Sequence, residues 1–326
     1  MDFENIFKNI KNIDELKEFI KNNDDFLNNK DENNSNCYLW ASYLGRLDIM
    51  KFLEKEYNLN IYIKDIDNID VYLFAACSGN LEIIKYLENE HNWNIHVKDV
   101  DDTDAYLFAS CYGNLEIMKY LEKEHAWDVH VKNVYGEDAY LLASWQGHLD
   151  IMKYLEKENN WDIHVRNNEG YDAYLLASCQ GYLEIMKYLE KEHNWDIHVK
   201  NNNGNDAYLF ASQFGHLEIM KYLENEHNWD IHVKNNNGND AYYYTDVRIR
   251  KHLDELYKKE KEENDSNLED ELKLEKEKNS KLEEKLKLEK EKNSKLEEKL
   301  KLEKEKNSKL EEELKQIKET LKKIIS

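Results

Sequence analysis

Proline is absent from this 326-residue sequence, and positive charge is scarce relative to negative charge. Lys and Arg together number 46 against 68 Asp and Glu, which leaves a formal net charge of −22. Because nucleic-acid affinity rests mainly on neutralising phosphates with Lys and Arg, we expect no nucleic-acid partner. We attribute the absence of proline, together with the abundance of asparagine, to an AT-rich coding sequence rather than to function.

The sequence also lacks any long apolar segment. No stretch approaches the ~18 consecutive apolar residues that suggest a membrane span, so we expect no membrane association. The first residues, Met1 to Asn5, have neither the basic nor the apolar region of a signal peptide. We therefore expect a chain that is not exported and that stays inside the cell, in the cytoplasm or the nucleus.

Cysteine is rare as well, with four in the chain. Cys77, Cys111 and Cys179 share one phase of a 34-residue period, so their spacing follows a repeat rather than a disulfide plan. We expect reduced thiols that are exposed or half-buried, as in cytosolic or nuclear proteins. The sequence has no phosphate-binding glycine loop, no serine elbow and no cysteine with a dedicated histidine, and it therefore predicts no enzymatic activity and no cofactor.

What the sequence does contain is a repeat. Asp104 to Ser110 recurs 34 residues later as Asp138 to Ser144, and then twice more at the same spacing. Six full units extend over residues 36–239, with degenerate capping units at 1–35 and 240–257. Such a period is typical of solenoids, in which a unit buries its apolar face only against its neighbours.

Within one unit, the residues predict two helices and an arm. Asp138 can cap a short first helix, and Gly147 can end it in the left-handed conformation. A second helix starts at Leu149, because apolar residues recur from there at helical spacing. The alternating stretch from Asn160 to Asn167 then predicts an extended arm that leads into a tight turn.

The second-helix segment from Gly215 to Leu223, with the sequence GHLEIMKYL, resembles the second-helix signature of ankyrin repeats. The resemblance covers residues 36 to 245 in six in-phase copies. It implies an all-α ankyrin repeat solenoid of helix-turn-helix units with short β-hairpin loops. Because it is also rich in asparagine, the chain resembles the ankyrin families of amoebae and their giant DNA viruses.

The units depart from the family pattern in two ways. They have Asp138 to Leu141 where the family has a Thr-Pro-Leu-His stretch, so the resemblance implies a stack that depends on apolar packing and Asp caps. Each unit is also longer than the usual ~33 residues. The loop after the second helix should therefore be bulkier and covered by tryptophans, at Trp93, Trp127, Trp161, Trp195 and Trp229.

A protein partner is what the resemblance implies for function. Ankyrin proteins bind partners through the hairpin tips and the exposed end of the first helix, which line a concave groove. The copies of this repeat differ most at these phases, and aromatic residues there suit binding hot spots. If the differences are neutral instead, the repeats form a structural spacer without a ligand. The candidate protein-binding residues are Asp101, Tyr112, Tyr135, Glu137, Trp145, Glu169, Tyr171 and Phe214.

Metal binding is a third hypothesis, raised by pairs of the form His-x4-His. Zn²⁺ takes about four N or S ligands, yet the first histidine is Asn159 in one copy and Tyr57 in another. We expect surface histidines copied with the repeat and no bound metal. The pairs are His91 with His96, His125 with His130, His193 with His198, and His227 with His232.

Residues 266–326 differ in composition and consist almost entirely of Glu, Lys, Leu, Asn and Ser. A 14-residue word, equal to two heptads, recurs there and predicts a coiled coil. Ser266 with Glu269 predicts a capping box at its start, and the charged residues 258–265 predict a flexible linker. The predicted core residues are Leu268, Leu272, Leu282, Leu286, Leu296, Leu300, Leu310, Leu314, Ile317, Leu321 and Ile324.

This predicted seam is only partly apolar. Alternate a positions carry Asn and alternate d positions carry Glu, and polar a residues specify register at a cost in stability. We expect a weak homodimer through residues 266–326, anchored by the apolar last turns. The alternative is a solitary helix held by i,i+4 pairs of Glu and Lys. The polar seam residues are Asn279, Asn293, Asn307, Glu275, Glu289 and Glu303.

Overall fold

A computed structural model describes residues 1–159, 161–244 and 247–325. The side chains of residues 159, 244 and 323–325 are not part of that description. The described residues are mainly helical and contain no strand. They belong to two units, residues 1–251 and residues 252–326.

The first unit consists of helix pairs in chain order, in agreement with the predicted all-α solenoid. The degenerate N-terminal unit contains α1 (Phe3–Asn9) and α2 (Ile13–Asn22). The following pairs are α3 (Cys37–Tyr43) with α4 (Leu47–Tyr57), α5 (Val71–Ser78) with α6 (Leu81–His91), α7 (Ala105–Cys111) with α8 (Leu115–His125), α9 (Ala139–Gln146) with α10 (Leu149–Asn159), α11 (Ala173–Gln180) with α12 (Leu183–His193), and α13 (Ala207–Phe214) with α14 (Leu217–His227).

The predicted helix signals of the Asp138 unit are confirmed. The carboxylate of Asp138 accepts the N–H of Leu141 at 3.1 Å, and α9 ends at Gly147 with φ 87°. This φ lies in the left-handed region, where glycine carries no Cβ penalty. Burial raises the pKa of the Asp138 carboxyl above its ordinary value, although the Leu141 N–H opposes the shift.

The apolar core extends along the row of first helices, each of which packs against the first helices of its neighbours. Every first helix from α3 to α13 contributes one fully buried tyrosine and a buried alanine three residues later. Close approach of the helices requires that small alanine, since extra volume there would overpack the contact. The tyrosines are Tyr38, Tyr72, Tyr106, Tyr140, Tyr174 and Tyr208.

The arm after the second helix is not extended as predicted. In the Asp138 unit it bends at residues 163–164 before the tip turn at 168–169. Asp162 causes this bend, because its carboxylate accepts the N–H of His164 at 3.0 Å, and such local bonds compete with strand pairing. Trp161 is buried beside the bend, and the tryptophans at the same position of other units, Trp93, Trp127, Trp195 and Trp229, are buried too, which confirms that they cover the loop.

The apolar packing and the Asp caps that the resemblance implies are both present, and polar contacts that it does not imply also join the units. Glu156 accepts a hydrogen bond from Tyr140 of its own unit at 2.7 Å. It accepts a second from Tyr188 of the next unit at 2.5 Å, and lies 3.0 Å from Nε2 of His193 there. One carboxylate thus joins two units. Burial, and after it the hydrogen bond to Glu156, raises the pKa of the Tyr140 hydroxyl.

The same arrangement recurs along the stack, and we call these residues the glutamate column. Each member accepts hydrogen bonds from a tyrosine of its own unit and a tyrosine of the next. A lysine of the same unit also lies over the ring of that second tyrosine, as Lys153 lies over Tyr188 with its ammonium 4.7 Å from the ring centre. The column consists of Glu54, Glu88, Glu122, Glu156 and Glu190.

We expect Glu156→Gln to lower the free energy of unfolding of the repeats by about 2–3 kcal/mol, because bonds to a charged, mostly buried acceptor are lost. The Glu156 side chain is only 13% exposed. Urea unfolding followed by tryptophan fluorescence measures this change in the repeats alone, since all seven Trp precede residue 258. The control is Glu158→Gln, which removes an exposed pair with Lys157 and should change stability by less than ~0.5 kcal/mol. Equal urea midpoints for the two variants would show that the column does not stabilise the stack.

The N-terminal capping unit contains a first helix, α1, although its sequence lacks the first-helix signature of the repeat. Phe3 and Phe7 of α1 are buried and form edge contacts with Phe26, with ring centres 5.5 and 6.0 Å away. Aromatic packing thus replaces the repeat signature in this unit. At the other end, a 3-10 helix (Ala241–Tyr244) takes the place of a first helix.

The last helix, α15 (Val247–Ile325), begins earlier than the sequence suggests. Residues 258–265, expected to form a linker, are helical, and Ser266 is an internal residue rather than a cap. The cause is that Lys and Glu are good helix formers and no Gly or Pro interrupts them. Pairs such as Lys258 with Glu262, 3.8 Å apart, add i,i+4 support. Within the described ranges, no helix is long and apolar enough to cross a membrane.

Candidate functional site

Five of the eight candidate binding residues line one pocket of about 160 Å³. Trp145 lies in the last turn of α9, and Phe214 is the last residue of α13, the first helix two units later. Glu137 comes from the tip turn that precedes α9, and Glu169 and Tyr171 come from the tip turn that follows α10. The pocket therefore forms where tip turns and helix ends of successive units meet, as the resemblance implies.

Aromatic residues of a tip turn and of α13 form one wall of the pocket. Tyr171 packs against Phe210 with ring centres 5.1 Å apart, and Phe210 stacks on Phe214 at 6.5 Å. Phe210 is buried, whereas half of the Phe214 side chain is exposed. Burial, then Cys179 and Glu169, raises the pKa of the Tyr171 hydroxyl to about 12, so the hydroxyl stays protonated and neutral at pH 7.

Two carboxylates stand at this pocket. Glu137 accepts hydrogen bonds from the amides of Asn133 at 3.0 Å and Asn167 at 3.5 Å. These neutral donors hold the carboxylate in place without neutralising it. Glu169 is exposed, and its backbone N–H donates to Asn167 Oδ1 at 3.1 Å. Among the described residues, neither Glu137 nor Glu169 forms an ion pair with Lys or Arg.

The remaining candidates lie outside the pocket. Tyr135 donates a hydrogen bond from its hydroxyl to Asp101 at 3.1 Å, so these two join neighbouring tip turns. Tyr112 is half-exposed at the end of α7 and stacks on Phe108 with ring centres 6.4 Å apart. All three lie at the predicted phases, but the structure does not bring them into the pocket.

Three further residues line the pocket that the sequence reasoning did not select as binding residues: Asn167, Leu176 and Cys179. Asn167 and Leu176 escaped notice because each resembles the residue in a neighbouring copy, and the selection relied on differences between copies. The expectation of exposed or half-buried thiols fails for Cys77 and Cys179, which are buried, and holds for Cys111. Burial raises the pKa of the Cys111 thiol to about 11.

The histidines of a His-x4-His pair have separate structural roles. The first lies against the glutamate column, as His193 does, with Nε2 3.0 Å from Glu156. The second stacks on the tryptophan of the next unit, as His198 does on Trp229 with ring centres 4.7 Å apart. In the part of the chain that the structure describes, no three His, Cys, Asp or Glu residues are grouped to hold a metal ion.

The predicted seam of α15 forms a row of half-exposed side chains on the single chain. The described seam residues Leu268 to Leu321 are between 49 and 66% exposed, while the side chain of Ile324 lies outside the described residues. The structure also exposes Leu274, Leu288 and Leu302, which the heptad frame places at c positions. These leucines lie two residues beyond an a position, which is about 200° around a helix and therefore off the seam.

Comparison with known proteins identifies the repeats. The family model described as ankyrin repeats (3 copies) matches residues 72–167 and 140–237, which together extend over half of the chain. A comparison with curated proteins gave no match. The matched span contains every copy that contributes to the pocket and ends before α15. The chain belongs to the ankyrin-repeat family.

Proposed function

We propose that this chain is a non-enzymatic scaffold inside the cell, whose ankyrin groove binds a protein partner and whose C-terminal helix self-associates. Ankyrin repeats are in general protein-interaction modules. The observation that carries the proposal is the pocket of Glu137, Trp145, Glu169, Tyr171 and Phe214. These residues depart from the repeat consensus, and folding nevertheless collects them at one place.

The physical character of the pocket favours binding over neutral variation. Its aromatic side chains are partly exposed to water, and aromatic residues in such recesses are typical of interface hot spots. Burial of apolar area against a partner contributes about 25 cal/mol per Å² before the costs of association. The alternative of a spacer without a ligand gives no reason for aromatic departures from the repeat to gather in this way.

We expect simultaneous replacement of Tyr135, Trp145, Tyr171 and Phe214 by Ala to weaken partner binding at least about tenfold, since hot-spot residues each contribute ~2 kcal/mol or more. Affinity purification with quantitative mass spectrometry, on the wild type and the variant side by side, measures this loss. Thermal unfolding of the variant shows whether the fold is retained.

The matched control replaces Tyr57 and Tyr62, two exposed aromatic residues outside the pocket, by Ala. This control should recover the same proteins as the wild type. Recovery of an identical set of proteins by all three forms would favour the spacer and contradict the groove proposal.

Self-association of α15 rests on its exposed seam. A row of half-exposed leucines at a and d positions gains stability by packing against an equivalent row on another helix. Fully burying one such side chain contributes about 1.5–3 kcal/mol. The Asn and Glu layers reduce this gain, so we propose a dimer of modest affinity.

We expect the full chain to sediment as a dimer at tens of micromolar. Replacing the a-position residues Leu272, Leu286 and Leu300 by Ala should convert it to a monomer, because three apolar layers are lost. Replacing the c-position residues Leu274, Leu288 and Leu302 by Ala is the matched control, and it should leave the dimer intact. A monomeric wild type, or equal loss in both variants, would contradict a dimer through this seam.

A further inference from the structure

The pocket combines features that select one class of side chain. Trp145, Tyr171 and Phe214 provide aromatic surface, and Glu137 and Glu169 provide negative charge at the same pocket. A cation is attracted to the faces of aromatic rings as well as to carboxylates. An apolar group would gain from the rings alone and would leave a desolvated carboxylate without a partner, which is costly.

Among the described residues, no ion pair with Lys or Arg neutralises the charge of the pocket. The two donors to Glu137 are the side-chain amides of Asn133 and Asn167. Arg166, the arginine nearest to Glu169 in the sequence, has other partners. Its guanidinium donates to the carbonyl of Lys200 at 2.9 Å and lies 3.4 Å from the carboxylate of Asp172. A cation from a partner therefore meets two carboxylates that no described Lys or Arg neutralises.

The residues around the pocket also carry negative charge, which favours a cationic ligand. The tip turn of the unit before Glu137 carries Asp99, Asp101 and Asp102, and the whole chain carries a net charge of −22. Such a field repels acidic segments and raises the local concentration of basic ones. Beyond the pocket, the tips at 201–205 and 235–239 contain only Asn and Gly and are neutral.

Resting on the groove function proposed above, we propose that the pocket binds the Lys or Arg side chain of a protein segment. The aliphatic part of that side chain packs between Trp145 and the Tyr171–Phe214 wall, and its charged end meets Glu137 and Glu169. The partner is thus a protein with an exposed basic residue, and not an acidic or phosphorylated segment.

The test pans a random peptide display library on the full-length chain and then titrates one enriched peptide by fluorescence anisotropy. We expect the enriched peptides to share a Lys or Arg. Replacing that residue by norleucine, which keeps the chain length without the charge, should weaken binding at least about tenfold, because a hydrogen bond to a charged group is lost.

Glu137→Gln with Glu169→Gln keeps the shape of the pocket and removes its charge. In this variant the peptides with Lys and with norleucine should bind alike, which makes the comparison a double-mutant cycle. The matched control, Glu184→Gln with Glu226→Gln, alters the net charge equally at exposed positions on second helices and should retain the full difference.

The results of the peptide selection distinguish the preference for a cation from binding in the groove as such. Enrichment of peptides whose binding is lost with Trp145→Ala but whose anchor is apolar or acidic would overturn the cation preference alone. Failure to find any peptide whose binding depends on Trp145 would contradict the groove proposal as well.

If α15 self-associates as proposed above, the charges beside its seam favour one orientation of the two helices. In a parallel, in-register pair, each g position faces the e position five residues later on the partner helix. Five of these contacts join Glu with Lys, at 271–276, 278–283, 292–297, 306–311 and 313–318, and two join Lys with Lys, at 285–290 and 299–304. Asn279, Asn293 and Asn307 each face their own copy.

An antiparallel pair has no such balance, because g positions then face g positions. Every g position from 278 to 306 is a lysine, so that orientation places Lys against Lys along the whole middle of the helix. Like charges in these positions are destabilising. We infer that the occupant of the exposed seam is a second copy of this chain, parallel and in register.

Oxidative cross-linking of the full chain tests the orientation. With Asn279→Cys, parallel in-register helices bring the two new thiols together, and a disulfide-linked dimer should form. Glu277→Cys, at an outward f position, is the control and should not cross-link. Cys37, Cys77 and Cys179 are buried and should not contribute, and the half-buried Cys111 is replaced by Ser in every form.

A charge exchange gives an independent readout. Lys285→Glu with Lys299→Glu turns both repulsive contacts of the parallel pair into Glu–Lys contacts, and the dimer should tighten about tenfold. In an antiparallel pair the same change only exchanges Lys–Lys for Glu–Glu. Cross-linking of Asn279→Cys solely with Glu303→Cys chains would overturn the parallel orientation, whereas a monomer in every form would contradict self-association itself.

Discussion

The column of glutamates between successive units is the interaction on which the rest of the repeat stack depends. Each carboxylate accepts one hydrogen bond from the buried tyrosine of its own unit and another from a tyrosine of the next, so the second-helix tyrosine of one unit depends on the glutamate of the unit before it. In four of the units a histidine completes the arrangement. This contact adds to the apolar packing between first helices and to their Asp caps, and it restrains the spacing of neighbouring helix pairs.

A constant contact between units is compatible with variation elsewhere in each unit. The tip turns and first-helix ends carry the residues at which the copies differ, and the constant column keeps them in register. Trp145 and Phe214 are two units apart, yet they line one pocket because the intervening unit has the standard geometry. The binding specificity that we propose would therefore be a property of neighbouring units together and of no single repeat.

The C-terminal helix differs from the repeats in how its apolar residues are buried. The stack buries its apolar residues within the chain, whereas α15 leaves its seam leucines about half exposed along most of its length. The charges beside the seam and the Asn residues at its a positions would together decide how a partner helix aligns. A groove for a protein segment and a seam for a second copy would together give a bivalent scaffold, in which linked sites raise the effective affinity.

The sequence by itself determined the repeat period, the helix pairs, their Asp caps and the heptad frame of the tail. These are local features, since capping and periodicity depend on residues within a turn or two of each other. Local reasoning failed for the arm after the second helix, where Asp162 bends the chain, and for residues 258–265, where good helix formers continue α15.

Only the tertiary structure decided which of the variable residues meet. Glu137, Trp145 and Phe214 belong to different units, and their convergence depends on how the units stack. The same holds for the glutamate column, because Glu156 and Tyr188 are separated by a whole repeat and nothing in either residue marks the other as its partner. Contacts of this kind depend on the rise from one unit to the next, which the period of a sequence does not specify.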